Sequence, residues 1–247
     1  MGNRADAPAT GAAAGRRRGR LPWLFADTGE THAAMMAAIE EEVACTAHHT
    51  GRHALSPRVD AAMRAVPRAL FVPERERALA YANHPLPIGH GQTISQPFIV
   101  AIMTELLDLD PADTVLEIGT GSGYQAAVLA RLARQVYSVE VVPELAAAAR
   151  AALARLGCAN VAVRAGDGAE GWAEHAPFDA VIVTAAAAAV PPALLSQLKP
   201  GGRLVAPLDT GYDGQMLTLV RKDAHGRPTY TSLFAVRFVP LTAPRRR

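Results

Sequence analysis

Cysteine is scarce in this chain. Its 247 residues include two cysteines, Cys45 and Cys158. Two cysteines cannot make a disulfide framework, and neither has the neighbour spacing of a metal ligand. We therefore expect no metal site and a protein of a reducing compartment, which we assign to the cytoplasm.

Long apolar runs are also lacking. No segment approaches the ~18 unbroken apolar residues of a membrane-spanning helix. The stretch "GRRRGRLPWLF" looks briefly like the start of a secretory signal, but the polar residues 27–30 interrupt the apolar region that should follow. We expect no membrane association.

The net charge is only +2, and much of the basic excess lies near the two ends of the chain. The interior is close to neutral, so it carries no basic footprint for nucleic acid. Residues 1–28 are rich in Ala, Gly and Arg without periodicity, and we expect them to form a flexible extension.

Half of the residues are apolar, enough for one domain with a full core. We expect that domain over residues 29–247, as a monomer. Its predicted parts are N-terminal helices with a loop (29–110), a central core (111–208) and C-terminal strands (209–247).

Strands and helices alternate through the middle of the sequence. "TVLEI" and "QVYSVE" are short β-branched runs, and a helix is predicted after each, the second beginning at Pro143. Such alternation predicts a doubly wound, mostly parallel α/β sheet of the Rossmann-like type. The strand-rich end should add antiparallel strands, with a hairpin turning at "HGRP" and a last strand over 229–241.

Several helix boundaries are also predicted. Helices are expected over 30–49 and from Pro57, where Ser56 is the cap. A buried helix should run from Gln96 to Leu107, with Ser95 as its N-cap. Another helix, from residue 191, is expected to stop at the glycines of "LKPGG".

The sharpest motif by pattern is "VLEIGTGSGYQAAVLA", in which a strand runs into Gly119, Gly121 and Gly123 before a helix. The dinucleotide fingerprint G-x-G-x-x-G/A would need glycine or alanine where Tyr124 stands, which argues against a dehydrogenase. The motif reads E-x-G-x-G-x-G, with Glu117 at the strand end. A carboxylate there suits the cationic part of S-adenosylmethionine, and the helix N-terminus suits its carboxylate.

The next two strands end in further candidate ligands. Glu140 follows the glycines by about twenty residues, the spacing at which an acid meets ribose hydroxyls in such folds. Asp167 could accept from the adenine amino group, and Gly168 would allow close backbone approach. The alternative is that Asp167-Gly168 is simply a turn dipeptide.

Ahead of the glycine turn stands "PIGHGQTISQP", residues 87–97, which is either a loop ending in a helix cap or a loop that takes part in chemistry. With "VPRALFVP", "MTELLDL", "VYSVE", "GDG", "PFDAVIVTAA", "QLKPGGRLVAP" and "VRFVPL", it resembles the protein-L-isoaspartate (D-aspartate) O-methyltransferases. The resemblance covers residues 66–241, and the "PIGHGQTISQP" passage is its most specific part.

The resemblance implies an activity. The enzyme would transfer a methyl group from S-adenosylmethionine to the free α-carboxylate of an L-isoaspartyl residue in a damaged protein or peptide. The ester would then collapse to a succinimide, which opens partly to normal aspartate.

The resemblance also implies site residues. Ser95 would be the catalytic residue and would contact both donor and substrate. The preceding Gln92, Thr93 and Ile94 would line the cofactor pocket, whereas the substrate would meet Ile88, Val239, Pro240 and Leu241.

The chemistry agrees with this set of residues. A carboxylate acceptor, with a pKa near ~4, is ionised at neutral pH and needs no general base. Ser95 would orient one of its oxygens. Two alternatives stay open: a related carboxyl methyltransferase acting on the aspartate of a dedicated peptide, and a non-catalytic S-adenosylmethionine-binding module.

Overall fold

A computed structural model describes residues 31–211 and 214–243, so the expected extension over 1–28 lies outside the described residues. The helices are α1 His32–Cys45, α2 Ala47–Thr50, α3 Pro57–Ala65, α4 Pro97–Leu107, α5 Tyr124–Leu129, α6 Pro143–Arg155 and α7 Pro192–Gln197. The strands are β1 Leu86–Gly89, β2 Gln92–Ile94, β3 Thr114–Ile118, β4 Gln135–Glu140, β5 Val161–Ala165, β6 Phe178–Val183, β7 Leu198–Asp209, β8 Gln215–Lys222 and β9 Pro228–Val236.

The main sheet has seven strands in the order β5-β4-β3-β6-β7-β8-β9. Neighbouring strands from β5 to β7 pair in parallel, and β8 and β9 add the expected antiparallel hairpin. All five residues of the central β3 are buried, as a parallel sheet covered on both faces requires. The predicted fold class is confirmed.

Two apolar clusters lie on opposite faces of this sheet. Successive residues of β3 belong to different clusters. Val115 packs in the cluster that includes residues of α1, α3, α4 and α5, whereas Leu116 packs in the cluster that includes α7. Of the helices that the structure describes, none combines the length and the apolar character needed to cross a membrane.

The N-terminal helices are shorter than the sequence pattern predicts. The single helix expected over 30–49 divides at Thr46, which separates α1 from α2. The start of α3 agrees with the prediction, because the Ser56 side chain accepts from the Val59 N–H and Pro57 is the first helical residue.

The predicted cap of α4 is wrong. Gln96, not Ser95, is the residue before the helix, and its own side chain makes no capping bond. The cap comes from Asn83, whose Oδ1 accepts from the Phe98 N–H at 3.0 Å. A distant amide therefore accepts from this first-turn N–H group, and the Ser95 hydroxyl is not the cap.

Two boundaries near the C-terminus also differ from the prediction. The "LKPGG" segment does not stop α7 but opens β7, where buried Leu198 pairs with Phe178. The last strand ends at Val236, not at residue 241, because the side-chain amide of Gln215 bonds both backbone groups of Phe238 and takes the place of a partner strand.

The passage "PIGHGQTISQP" contains structure that the sequence did not indicate. Residues of β1 and β2 form a separate antiparallel hairpin in which Leu86 pairs with Ile94 and Pro87 with Thr93. Its turn passes through Gly89, His90 and Gly91, all with positive φ. The hairpin delivers its second strand to the end of the main sheet.

Candidate active site

A cleft lies beyond the carboxyl ends of the parallel strands. The chain winds outward from β3 to β5 in one direction and from β6 to β7 in the other, so the direction changes between β3 and β6. Open α/β sheets bind ligands at such a switch point. Gly119 follows β3 and Thr184 follows β6, and both line the cleft.

Thr184 is a site residue that sequence analysis missed. Its hydroxyl donates to the carbonyl oxygen of Gly119 at 2.7 Å. Gly119 has a φ of 92°, and a Cβ there would stand 2.4 Å from the Thr184 Oγ1. The turn therefore needs glycine for two reasons, its left-handed backbone and the close approach of β6. The only sequence signal was a polar residue at the end of a buried strand.

The other two glycines of the turn face different neighbours. Gly121 lines the cleft, and a Cβ on it would contact the tip of Ile88 at 3.4 Å. Gly123 instead lies against Ala149 and Leu153 of α6, so it permits close helix packing. Ile88 thus covers the turn from the hairpin side.

Glu140 projects from the end of β4 to the cleft wall. Its carboxylate accepts from the N–H of Gly121 at 2.7 Å and from the N–H of Val142 at 3.0 Å. Each oxygen uses one lone pair in these bonds and keeps another. The carboxylate is oriented and can still accept from a vicinal diol.

Glu117 lies beneath the glycine turn and is fully buried. One of its oxygens accepts from the Ser138 hydroxyl, which also contacts the Thr120 hydroxyl, and the other oxygen has no partner within the described residues. Burial raises the pKa of this carboxyl to about 8; the Ser138 bond opposes the shift, and the charge of Glu140 adds to it. Glu117 is therefore a neutral group under the turn at pH 7 and is not part of the cleft wall.

Asp167 and Gly168 combine the two roles that the sequence left open. The Asp167 carboxylate accepts from the Ala169 N–H at 2.9 Å and caps a short 3₁₀ turn. Gly168 lines the cleft, and a Cβ there would stand 2.4 Å from the Ile118 Cγ2. Only glycine fits this position without displacing the end of β3.

The segment 239–241 closes the cleft on the far side. It runs parallel to the alanine-rich stretch after β6, with the Ala186 N–H donating to the Val239 carbonyl at 2.8 Å and the Leu241 N–H to the Ala186 carbonyl at 2.7 Å. Val239, Pro240 and Leu241 all line the cleft. The alanine-rich stretch, for which the sequence suggested no role, provides a backbone edge on which this segment docks.

The hairpin strand divides its predicted site residues between different environments. Gln92 and Thr93 line the cleft, whereas Ile94 is buried in the core. Ser95 lines a neighbouring groove whose walls include α4 and the last part of β9. No hydrogen bond within the described part of the chain uses the Ser95 hydroxyl.

The cleft and the groove are adjacent and share part of their lining. Thr93, Thr184 and Val239 line both of them. The groove is also lined by one acidic and one basic residue, Glu42 and Arg237. The Glu42 carboxylate accepts from the side-chain amides of Asn83 at 2.7 Å and of Gln96 at 3.0 Å. Among residues 31–211 and 214–243, no group of three or more His, Cys, Asp or Glu side chains could hold a metal ion.

Comparison with known proteins identifies sequence relatives. The family model of protein-L-isoaspartate(D-aspartate) O-methyltransferase matches residues 40–246. A protein-L-isoaspartate O-methyltransferase 2 of Syntrophobacter fumaroxidans is 55% identical over 214 residues, which are 87% of this chain and 87% of the relative. A protein-L-isoaspartate O-methyltransferase 1 of Nitrosospira multiformis is 59% identical over 183 residues, covering 74% of this chain and 78% of the relative.

Two solved structures share the fold. A protein-L-isoaspartate O-methyltransferase matches with a TM-score of 0.75 and 28% identity over 86% of this chain, which spans 66% of that structure's chain. A Plasmodium falciparum chain, crystallised in complex with S-adenosyl-L-homocysteine, matches with a TM-score of 0.73 over 86% of this chain and 99% of its own. Its identity is 24%, so that second likeness bears on the fold alone.

Proposed function

The chain belongs to the protein-L-isoaspartate O-methyltransferase family, and from that premise we propose how its residues perform the reaction. The enzyme transfers the methyl group of S-adenosylmethionine to the free α-carboxylate of L-isoaspartyl residues in damaged proteins or peptides. The methyl ester then closes to a succinimide, which opens partly to aspartate.

We assign donor binding to the cleft beyond β3, β4 and β6. The fit rests on its walls: Gly119 and Gly168 line the cleft without side chains, and the oriented Glu140 carboxylate retains free lone pairs. A flat nucleoside with a ribose diol suits such walls. The cleft is completed by Gln92, Thr93, Gly121 and the 239–241 segment. Glu117 lies beneath the glycine turn and supports it.

We assign acceptor binding to the groove that contains Ser95. The observation that carries this proposal is the junction of groove and cleft at Thr93, Thr184 and Val239, because methyl transfer requires that donor and acceptor sites meet. When bound, S-adenosylmethionine supplies an electrophilic methyl group at its sulfonium. The chain has to position a carboxylate towards that group and exclude water.

Ser95 orients the acceptor. Its hydroxyl caps no helix and can donate to a carboxylate oxygen. The acceptor is already ionised at neutral pH, which removes the need for a general base. Its negative charge disappears during transfer, so tight charge pairing would stabilise the ground state more than the transition state. A neutral hydroxyl avoids that penalty, and good orientation can contribute roughly 7–11 kcal/mol.

The test is incorporation of base-labile labelled methyl groups into an isoaspartyl peptide and its aspartyl twin. We expect transfer to the isoaspartyl peptide alone, and its near-complete loss in Ser95→Ala with the far-UV spectrum unchanged. Ser196→Ala is the matched control, since Ser196 is exposed on α7 and, within the described residues, bonds the Ala193 carbonyl alone. Preferential methylation of the aspartyl twin would support the dedicated-peptide alternative, and wild-type rates in Ser95→Ala would refute the assignment of Ser95.

We further propose a cytoplasmic monomer with one catalytic domain beginning near residue 29. Cys45 and Cys158 are both free thiols, the state that a reducing compartment maintains. Light scattering on the purified protein tests the oligomeric state, and the mass of a dimer would refute the proposed monomer.

A further inference from the structure

Arg68 is a fully buried arginine with no carboxylate partner among the described residues. Its guanidinium donates to three backbone carbonyls: those of Ala80 at 2.6 Å, His84 at 3.1 Å and Ser95 at 3.1 Å. Burial lowers the pKa of Arg68 to about 10, so the group remains charged at pH 7. Arginine is almost never fully buried unless it is paired, and the hydrogen-bond partners of this one among the described residues are backbone oxygens alone.

Two of the three carbonyls lie at the two ends of the β1–β2 hairpin. His84 stands two residues before β1 begins at Leu86, and Ser95 directly follows the end of β2 at Ile94. The same nitrogen, Nη2, donates to both. Arg68 therefore closes the base of the hairpin and holds the backbone of Ser95 through the Ser95 carbonyl.

The turn that carries Arg68 also packs against the donor side of the site. Phe71, in the same 3₁₀ turn, meets the ring of Tyr124 edge to face with centroids 5.6 Å apart. Tyr124 begins α5 immediately after the glycine turn. Its hydroxyl and the Arg68 Nε are both buried without a partner in the described residues, and the Arg68 charge lowers the Tyr124 pKa against the larger effect of burial.

We propose that Arg68 is a positioning residue for methyl transfer: it holds the Ser95 backbone in place relative to the glycine turn. The inference rests on the proposed function of Ser95 and adds a residue that touches neither substrate nor donor. A guanidinium suits the task because its planar fork reaches several acceptors in fixed directions, whereas an ammonium is a point charge on a flexible stem. Misplacement of a reacting group by about 1 Å can cost roughly 10²-fold in rate.

The test variant is Arg68→Lys, which keeps the charge and removes the fork. We expect kcat for the isoaspartyl peptide to fall by roughly 10- to 100-fold, with the affinity for S-adenosylhomocysteine unchanged in calorimetry. The matched control is Arg58→Lys, because Arg58 also donates to two backbone carbonyls, Leu109 and Leu132, which lie outside the site. Arg58→Lys should melt at a lower temperature and keep its kcat.

A double-mutant cycle separates positioning from general stability. If Arg68 acts through Ser95, Arg68→Lys should lower kcat in the wild-type background and have little further effect in Ser95→Ala. Independent, multiplying losses would overturn the proposal, as would a folded Arg68→Lys with wild-type kcat. If Arg68→Lys does not fold, Arg68→Gln, which keeps an amide donor and removes the buried charge, replaces it in the same cycle. Failure of the proposed function is distinguishable, because the wild-type enzyme itself would then not methylate the isoaspartyl peptide.

Discussion

Replacement of Glu117 by glutamine should make the protein more stable, by an amount that grows with pH. The folded-state pKa is raised from 4.5 to about 8, so the carboxyl stays neutral in the folded protein while it ionises in the unfolded chain. The stability that this group contributes is complete below about pH 4.5 and is lost as pH rises through about 8. Glutamine has the shape of the neutral carboxyl and does not titrate.

The pKa difference sets the size of the effect. Each unit corresponds to about 1.4 kcal/mol, so Glu117→Gln should gain less than about 1 kcal/mol at pH 5 and about 3 kcal/mol at pH 7. The gain should level off near about 5 kcal/mol above pH 8. Ser138 still donates to the amide oxygen, and the second Glu117 oxygen, which glutamine replaces by nitrogen, already lacks a partner.

Urea unfolding of both proteins at about pH 5, 7 and 8.5 measures this difference, in which all other titrating groups cancel. Exposed Glu144 supplies the control substitution Glu144→Gln, for which no such rise is expected. A stability difference that stayed constant with pH would refute the assignment of a neutral buried Glu117. Near pH 6 the side chain of residue 117 is uncharged in the wild type and in Glu117→Gln. The two proteins should therefore bind S-adenosylhomocysteine with the same affinity at that pH.

Three further predictions concern the site and its supports. Gly168→Ala should cost about 1–3 kcal/mol of stability and weaken S-adenosylhomocysteine binding in calorimetry, since the new methyl group would stand 2.4 Å from Ile118. The control is Gly166→Ala, whose methyl group would have its nearest contact at 3.7 Å. This control should change neither the stability nor the binding. Asn83→Ala should lower the free energy of unfolding by about 1 kcal/mol through loss of the α4 cap, and an unchanged urea midpoint would contradict that role. Ser95→Ala should stay within about 0.5 kcal/mol of wild type, whereas a larger loss would show that its hydroxyl supports the fold.

The elements that could be predicted from sequence are those specified by local patterns. Strands β3 and β4 were predicted with their observed bounds because each is a short β-branched run, the first ending at a glycine turn. The start of α3 was equally local, since Ser56 and Pro57 are adjacent to it. Cleft residues such as Gly121 and Glu140 follow from the same strand-end geometry.

The features that sequence analysis missed depend on partners distant in the chain. The cap of α4 comes from Asn83, 15 residues before its partner Phe98, so an adjacent serine looked like the better candidate. Thr184 has its role because β6 returns beside β3. Arg68 contacts residues up to 27 positions away, and nothing in its neighbourhood predicts that it is buried.

The amide that caps α4 also joins the start of that helix to the Glu42 carboxylate. Deamidation of Asn83 would keep an oxygen for the Phe98 N–H but would replace the nitrogen that donates to Glu42 at 2.7 Å with a second carboxylate oxygen. Two like charges would then face each other at the wall of the groove that contains Ser95, and one of them would have to take up a proton or move away. Hydrolysis of this one amide would therefore disturb both the start of α4 and the groove that contains Ser95.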